Sequence, residues 1–520
     1  MPVADWFLTA EERGNPATVL DDRHPVGEAW SHGNMVRPLI HGATYFAELA
    51  AAVERMRADD VLMFVDWRGD PDERLTTAQD SEVGRVLCRA ASRGVVVRGL
   101  IWRSHWDRMT FSAAENRHLG EEVNQVGGCC LLDMRVRTGG SHHQKFLVLR
   151  HPGHPELDIA FVGGIDLCHG RRDDADHHGD PQRQPMAKVY GRRPPWHDVQ
   201  LAITGPAVAD VETVFRERWD DPQRLSRDPA RMIGDRLHHD DQSRAPLPPQ
   251  MAPPPRVGPH SVQLLRTYGR RYGGYPFAPH GERSVARGYL KALGRARELI
   301  YVEDQYLWSR DVGRRIADVL RAHPGLHFVA VLPHHPDQDG RLSLPPNIVG
   351  RQAALSVIRA AAPDRVAVYG IENHDGTPVY VHAKVCVIDD RWASVGSDNF
   401  NRRSWTHDSE LSAAVWDTTP ALDGASNYAR DLRVALGREH LDDEGEYTDP
   451  KAMFDAFVRS ARALQHWHDG GRVQPRPPGR LRPLVDPPVS LTTRLWASPL
   501  YRTLYDPDAR SLPGRLRRRY

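Results

Sequence analysis

Residues 381–405 read VHAKVCVIDDRWASVGSDNFNRRSW. His382 and Lys384 stand two apart on what reads as a strand, so their side chains share one face. Asp389 follows seven residues after the histidine. Gly396, Ser397 and Asn399 come at the end of the next short strand. An imidazole, an ammonium, small residues and an amide thus converge at a strand edge.

Residues 141–171, SHHQKFLVLRHPGHPELDIAFVGGIDLCHGR, repeat the arrangement. His143 and Lys145 form the same pair, and Gly163, Gly164 and Asp166 correspond to Gly396, Ser397 and Asn399. Each offset from the histidine is six residues longer, as one insertion around 151–156 would make it. The chain has only five lysines, so roughly a quarter of one His-x-Lys pair is expected by chance. Two occur, each followed by a matched glycine-containing turn. Half-buried strand histidines satisfied by their neighbours explain one pair tolerably and two badly.

The repeat is wider than the motif. Residues 34–40 read as a strand, 43–57 as a helix and 61–67 (VLMFVDW) as a buried strand; 262–265 begin a strand, 284–297 read as a helix and 299–306 (LIYVEDQY) as a strand. Each half continues in alternating helices and strands: 81–92 then 95–102 in the first, and 312–322, 327–332 and 348–361 in the second. This predicts an α/β fold of two similar lobes, each a mixed sheet flanked by helices, related by a pseudo-twofold axis. A stripe of Val208, Val211, Val214, Phe215 and Trp219 closes the first lobe. The expected division is 1–225 for that lobe, a Pro-rich extended linker at 226–260, a second lobe at 261–470 and an irregular Pro/Arg-rich tail at 471–520.

The 520 residues carry 69 basic and 68 acidic side chains, for a formal charge of +1, which argues against a long nucleic acid as partner. Hydrophobic residues at 40% and charged residues at 26% fit a soluble globular chain. Five irregularly spaced cysteines suit a reducing compartment. The first fifteen residues lack the pattern of a signal peptide, and no apolar run is long enough to span a bilayer. The expected location is cytoplasmic, peripheral at a membrane where lipid is involved.

The two motifs resemble the signature of the phospholipase D superfamily, His-x-Lys-x4-Asp followed by Gly-Ser-x-Asn, present twice. The second copy matches in full, and the segments PWHDVQLAITGPAV, LIYVEDQYLW and GGIDLCHGR are similar to the phospholipase D branch itself. The first copy departs from the pattern: Arg150 stands where Asp is expected, with Asp158 its replacement after the insertion, and Asp166 stands where Asn is usual. The resemblance implies that one histidine attacks phosphorus and the other protonates the leaving alcohol, then activates water or another alcohol. It makes His143 the nucleophile and His382 the general acid, and gives the histidines orienting partners in Asp198 and Glu410, downstream of the motifs. Lys145 and Lys384, with Gly164, Asp166, Ser397 and Asn399, are the expected phosphate contacts, and Asp389 and Asp158 support them.

The chemistry of the residue types agrees. Two ammonium groups neutralise the non-bridging oxygens of an anionic diester. Imidazole titrates near neutrality and serves as nucleophile, acid or base without a metal or other cofactor. Lysine at 145 and 384 in an arginine-rich chain fits a compact point charge on phosphate.

Asp66, Trp67, Glu303, Gln305 and Tyr306 sit at matching strand ends, where aromatic faces suit a cationic headgroup; the alternative is packing at the lobe interface. The cluster HGRRDDADHH at 169–178 has no ligand spacing and reads as a solvated loop, so no metal is expected. The expected substrate is a phospholipid at a membrane surface, hydrolysed or transferred at its headgroup. A cardiolipin synthase-like transferase, a nuclease-like phosphodiesterase and a non-catalytic lipid- or protein-binding homologue are the alternatives.

Overall fold

A computed structural model describes residues 2–104, 113–226, 233, 237, 243–418, 427–516 and 520. Most of the linker between 227 and 242, and residues 517–519 of the basic end, lie outside the described residues.

The first lobe contains β1 (Ser31–Ile40), β2 (Val61–Asp66), β3 (Val96–Trp102), β4 (Cys129–Asp133), β5 (Phe146–Arg150), β6 (Ile159–Gly163), the two-residue β7 (Trp196–His197) and β8 (Val199–Thr204). Its sheet runs β1–β8–β6–β5–β2–β3–β4, with β2, β3 and β4 parallel and the other neighbours antiparallel. The second lobe contains β9 (His260–Tyr268), β10 (Glu282–Arg283), β11 (Leu299–Glu303), β12 (His327–Val331), β13 (Val366–Glu372), β14 (Pro378–Val381), β15 (Val385–Ile388), β16 (Trp392–Gly396), β17 (Glu410–Asp417) and β18 (Leu481–Pro483). Its sheet runs β9–β17–β16–β15–β11–β12–β13, the same order with the same three parallel strands. The lobes share an antiparallel contact where Ser31 and Asn34 of β1 meet Val262 and His260 of β9.

Alternation along the strands builds three apolar layers. Val61, Met63 and Val65 face one way on β2 and join Val262, Leu264, Val385, Val387, Val395 and Leu411 of the second lobe in one core. Leu62 and Phe64 face the other way, against the helices Gly42–Arg55 and Val83–Ser92. Ile300 and Val302 do the same in the second lobe, under helices Ser284–Arg295, Arg310–Ala322 and Leu344–Ala361. Covering both faces of each sheet is why the strands read as nearly continuous apolar runs. The helix at Arg310–Ala322 shows the local logic: the Ser309 hydroxyl accepts from the Asp311 N–H, and Val312, Ile316 and Leu320 form its buried stripe.

The structure departs from the sequence reading in three segments and at several site residues. The His-x-Lys residues are not in strands: 143–145 precede β5, and 382–384 link β14 to β15. The N–H groups of His143, His382 and Ala383 bond to the opposite lobe instead. The strand beginning at Leu299 stops at Glu303, because the Asp304 carboxylate accepts from the N–H groups of Tyr306, Leu307 and Phe400 and turns the chain. The tail is not irregular. β18 pairs with β13, a helix follows at Leu491–Leu500, and Asp506 receives Arg402, Arg403 and the Tyr501 hydroxyl.

The register also locates the six extra residues of the first motif. Leu149 pairs with Ile159, ten residues on, whereas Ile388 pairs with Trp392, four residues on. The insertion is the connection between β5 and β6. Among the described residues all five cysteines are free thiols, and no helix is long and apolar enough to cross a membrane.

Candidate active site

The two motifs meet where the lobes join, and they do so by reciprocal exchange. His142 bridges in parallel to Ser409, and Val381 bridges in parallel to His197, the same step in each copy. The His143 N–H donates to the Ser409 carbonyl at 2.9 Å, and the His382 N–H donates to the His197 carbonyl at 2.8 Å. The residue after each acceptor is an acid. His143 Nδ1 therefore lies 2.9 Å from Glu410 Oε2, and His382 Nδ1 lies 2.6 Å from Asp198 Oδ2. Each motif histidine is thus held by the acid of the opposite lobe. A carboxylate accepts only, so each ring donates from Nδ1 and keeps Nε2 for chemistry.

The lysines are fastened in the same symmetric way. Lys145 Nζ donates to the carbonyl of His143 at 2.9 Å, and Lys384 Nζ donates to that of His382. Lys145 also lies 3.4 Å from Asp166 Oδ1, and Lys384 lies 3.4 Å from Gln305 Oε1. Burial, Lys384 and Arg171 hold the His382 imidazole well below its ordinary pKa, and Lys145 adds to the depression. Burial pushes Lys384 down to about 8, against the pull of Asp198. Burial raises the Asp198 carboxyl, while Lys384 opposes the rise. Asp166 resists its own burial because Lys145 and Arg171 hold it at about 2. Asp66, buried beside Asp166, is pushed well above the carboxylate range. The cleft therefore gathers two lysines and Arg171 around one anionic acid, Asp166.

The expected phosphate contacts divide. Asn399 is buried, with its amide oxygen unpaired among the described residues. The Ser397 hydroxyl does not face the cleft. It donates to Glu410 Oε2 at 2.6 Å and accepts from the Leu411 N–H, so it positions the acid behind His143. Gly164 occupies the equivalent place and leaves room for Asp198: a Cβ there would stand 2.4 Å from Asp198 Oδ1. Asp389 accepts three backbone N–H groups, from Arg297, Glu298 and Leu299, and anchors the start of β11. Asp158 does not take over that task. It receives Arg150 Nε and the His151 N–H within its own hairpin, and Arg150 also pairs with Glu212 and the Ala252 carbonyl.

The expected headgroup contacts divide as well. Trp67 stacks on Trp102 and meets the His143 ring at 76°, and Lys145 lies 5.6 Å from its ring centre. Gln305 donates to the Tyr380 and Tyr306 hydroxyls, and Tyr306 stacks on Trp308. Glu303 is excluded from the cleft. It is fully buried and held by His197, His440 and Tyr301. Asp66 is likewise occupied, accepting from the Trp67 and Leu167 N–H groups.

Sequence reasoning missed two features. Arg171, 3.8 Å from the Trp196 ring centre, brings a third cation to the site, and Trp196 in turn lies 4.8 Å from the His382 ring. In a chain so rich in arginine nothing distinguished it. The segment at 169–178 is also not a solvated loop, because His177 is fully buried among His41, His197 and Glu439.

Two family models match the chain. The model described as phospholipase D matches residues 70–267, and the model described as cardiolipin synthase, phospholipase D-like domain, matches residues 289–432. Among curated proteins, phospholipase D A of Dictyostelium discoideum is 27% identical over 76% of this chain and 35% of its own length. Phospholipase D alpha 1 of Cynara cardunculus is 26% identical over 72% of this chain and 60% of its own length. The chain thus spans between about a third and three fifths of these relatives. The crystal structure of phosphatidylserine synthase from Haemophilus influenzae Rd KW20 has the same fold, with a TM-score of 0.51 at 13% identity over 82% of this chain and 93% of that one. With two matched domains, two copies of the motif and one repeated sheet order, the chain belongs to the phospholipase D superfamily.

Proposed function

We propose that the chain is a phosphodiesterase of the phospholipase D type that cleaves a phospholipid headgroup through a covalent phosphohistidine. The supporting observation is the reciprocal exchange: two buried carboxylates, each from the lobe opposite its histidine, orient two imidazoles beside two lysines. In this reading His143 Nε2 attacks phosphorus, the bond to the headgroup oxygen breaks, and His382 gives that oxygen its proton. His382 then takes a proton from water or another alcohol, whose oxygen attacks phosphorus and releases His143. Lys145 and Lys384 balance charge on the non-bridging oxygens throughout. The negative charge of the bound diester favours uptake of a proton from solvent by His382, which its surroundings keep neutral in the free protein.

That depression favours one second reading, in which neutral His382 is the nucleophile and His143 the acid. Acid quench during turnover followed by peptide mapping separates the two: the phosphoryl adduct is expected on His143, and an adduct on His382 reverses the roles. A panel of phosphatidylcholine, phosphatidylglycerol and a nucleic-acid diester, with headgroup release measured with and without ethanol, tests the substrate class. Release from phospholipid, diverted to phosphatidylethanol by the alcohol, is expected at a membrane surface. Binding to vesicles with no adduct and no turnover supports a non-catalytic homologue instead.

A further inference from the structure

Behind His382 lies a cluster that phosphoryl transfer does not use. β7 ends at His197, whose carbonyl holds the N–H groups of His382 and Ala383. The His197 ring points away from the cleft, towards His41, His177 and Glu439. His41 Nε2 is 2.8 Å from Glu439 Oε2, and His177 Nε2 and His197 Nδ1 are 3.1 and 3.5 Å from Glu439 Oε1. All four ligand atoms lie within 4.8 Å of one another. The three rings meet at 62–88° with centroids 4.8–5.7 Å apart, so they face a common point and do not stack.

The outer nitrogens determine what the inner ones offer. His177 Nδ1 is 3.1 Å from the Trp196 carbonyl, and His197 Nε2 is 2.6 Å from Glu303 Oε2. Both partners accept only, so each ring donates outward, and a neutral ring then presents a bare lone pair inward. Those lone pairs point at the Glu439 carboxylate. Lone pair against anion is repulsive unless a cation lies between them or both rings take a second proton. His197 is fully buried, and its Nδ1 makes no hydrogen bond among the described residues. Outward donation to a carbonyl and a carboxylate is also how proteins orient metal-bound imidazoles. Glu303 is braced in turn by His440 and the Tyr301 hydroxyl. His41 and His177 sit at φ 69° and 55°, a left-handed backbone that costs energy in a residue other than glycine.

We propose that His41, His177, His197 and Glu439 form a structural site for a divalent transition-metal ion of zinc's kind, pinning the lobes together behind the catalytic cleft. Three imidazoles and a carboxylate are a zinc-type donor set. Four ligands about 2.1 Å from the ion stand about 3.4 Å apart; the three nitrogens now lie 2.8–3.5 Å from the Glu439 oxygens, and the whole set lies within 4.8 Å. With four protein ligands the site is closed to substrate and water, which makes it structural rather than catalytic. Its ligands bridge the two lobes: the three histidines come from the first, and Glu439 from the helix Asn427–Leu441 of the second. The metal holds His197 in place, and with it the carbonyl and the neighbouring Asp198 that position His382. The Glu439 side chain retains 12% exposure, which gives an ion a way in.

The test uses the full chain and needs no activity, so its outcome is independent of the proposed function. The protein is stripped with a strong chelator, reloaded with zinc, desalted and analysed for metal; a second sample is reloaded with cobalt. A single tightly held zinc per chain, a higher thermal midpoint on reloading and the intense visible bands of four-coordinate cobalt are expected. His177→Ala and Glu439→Gln lose the zinc, while His178→Ala, an exposed neighbour, keeps it. Failure of the unaltered protein to retain zinc overturns the proposal and leaves a network held by protons alone. Full retention by both site variants, or the pale spectrum of six-coordinate cobalt, also overturns it. Should the variants fail to fold by circular dichroism, the stoichiometry and cobalt spectrum of the unaltered protein decide.

Discussion

The exchange of acids between lobes makes a prediction that pairing within a lobe does not: Asp198→Asn should resemble His382→Ala, and Glu410→Gln should resemble His143→Ala. The magnitude follows from the geometry. Asp198 is fully buried with its carboxylate 2.6 Å from His382 Nδ1, so the charge centres of an imidazolium and the carboxylate are about 4 Å apart. At an effective dielectric of about 20, that attraction is worth about 4 kcal/mol. Its loss from the protonated histidine costs about a thousandfold in turnover of a choline ester. Glu410→Gln should cost somewhat less, because the His143 side chain is 16% exposed and partly screened. A nitrophenyl phosphodiester separates the roles, since its leaving group departs without a proton. On that substrate Asp198→Asn and His382→Ala should give a burst of nitrophenolate equal to the enzyme present, then stall, because the base for the second step is impaired. Glu410→Gln and His143→Ala should give no burst. Stopped-flow absorbance reads both phases. Turnover by Asp198→Asn within tenfold of the parent on the choline ester would refute the coupling. A burst from the Glu410 and His143 variants alone would exchange the two roles.

Three further outcomes are expected. Lys384 must be charged to hold phosphate, so kcat/KM should fall as pH rises through about 8, with kcat falling at higher pH because the bound anion stabilises the ammonium; steady-state pH profiles measure both. Asp166→Asn removes the anion beside Lys145 and should tighten competitive inhibition by inorganic phosphate about tenfold, equivalent to about 1.4 kcal/mol; an unchanged inhibition constant would mean that Asp166 is neutral when phosphate binds. Arg150→Ala leaves buried Asp158 without its guanidinium and Glu212 with Arg216 alone, and should cost about 3 kcal/mol in urea unfolding; a loss below about 1 kcal/mol would show that the hairpin relaxes to admit water.

The sequence carried the fold because the fold is said twice. Strands covered on both faces read as apolar runs, and their order with the intervening helices recurs, so two like lobes could be inferred without any single strong propensity. The four motif residues were legible for the same reason, and so were the two acids, as residues downstream of each motif. Which acid serves which histidine was not legible. That depends on the parallel bridges from His142 to Ser409 and from Val381 to His197, contacts across the lobe seam that leave no periodic trace. The tail hid a strand for a related reason: three residues at Leu481–Pro483 are too short for a period, and only the free edge of β13 makes them a strand.

Glu303 and Ser397 show a subtler limit. Both residue types suit ligand contact, and both stand at strand ends near the cleft, yet each is consumed by the support of a histidine one step back. Glu303 braces His197, whose carbonyl anchors His382, and Ser397 braces Glu410, which anchors His143. The cause is physical. Two imidazoles held by carboxylates of opposite lobes need supports that resist displacement in both, and in a buried interface every such support must itself be hydrogen-bonded. Polar residues near the cleft are therefore committed in layers. What remains for a ligand is an atom still unpaired among the described residues, such as the Asn399 amide oxygen. A sequence shows the polar residues but not which of them are already committed, and that difference separates the contacts expected of this cleft from those its geometry permits.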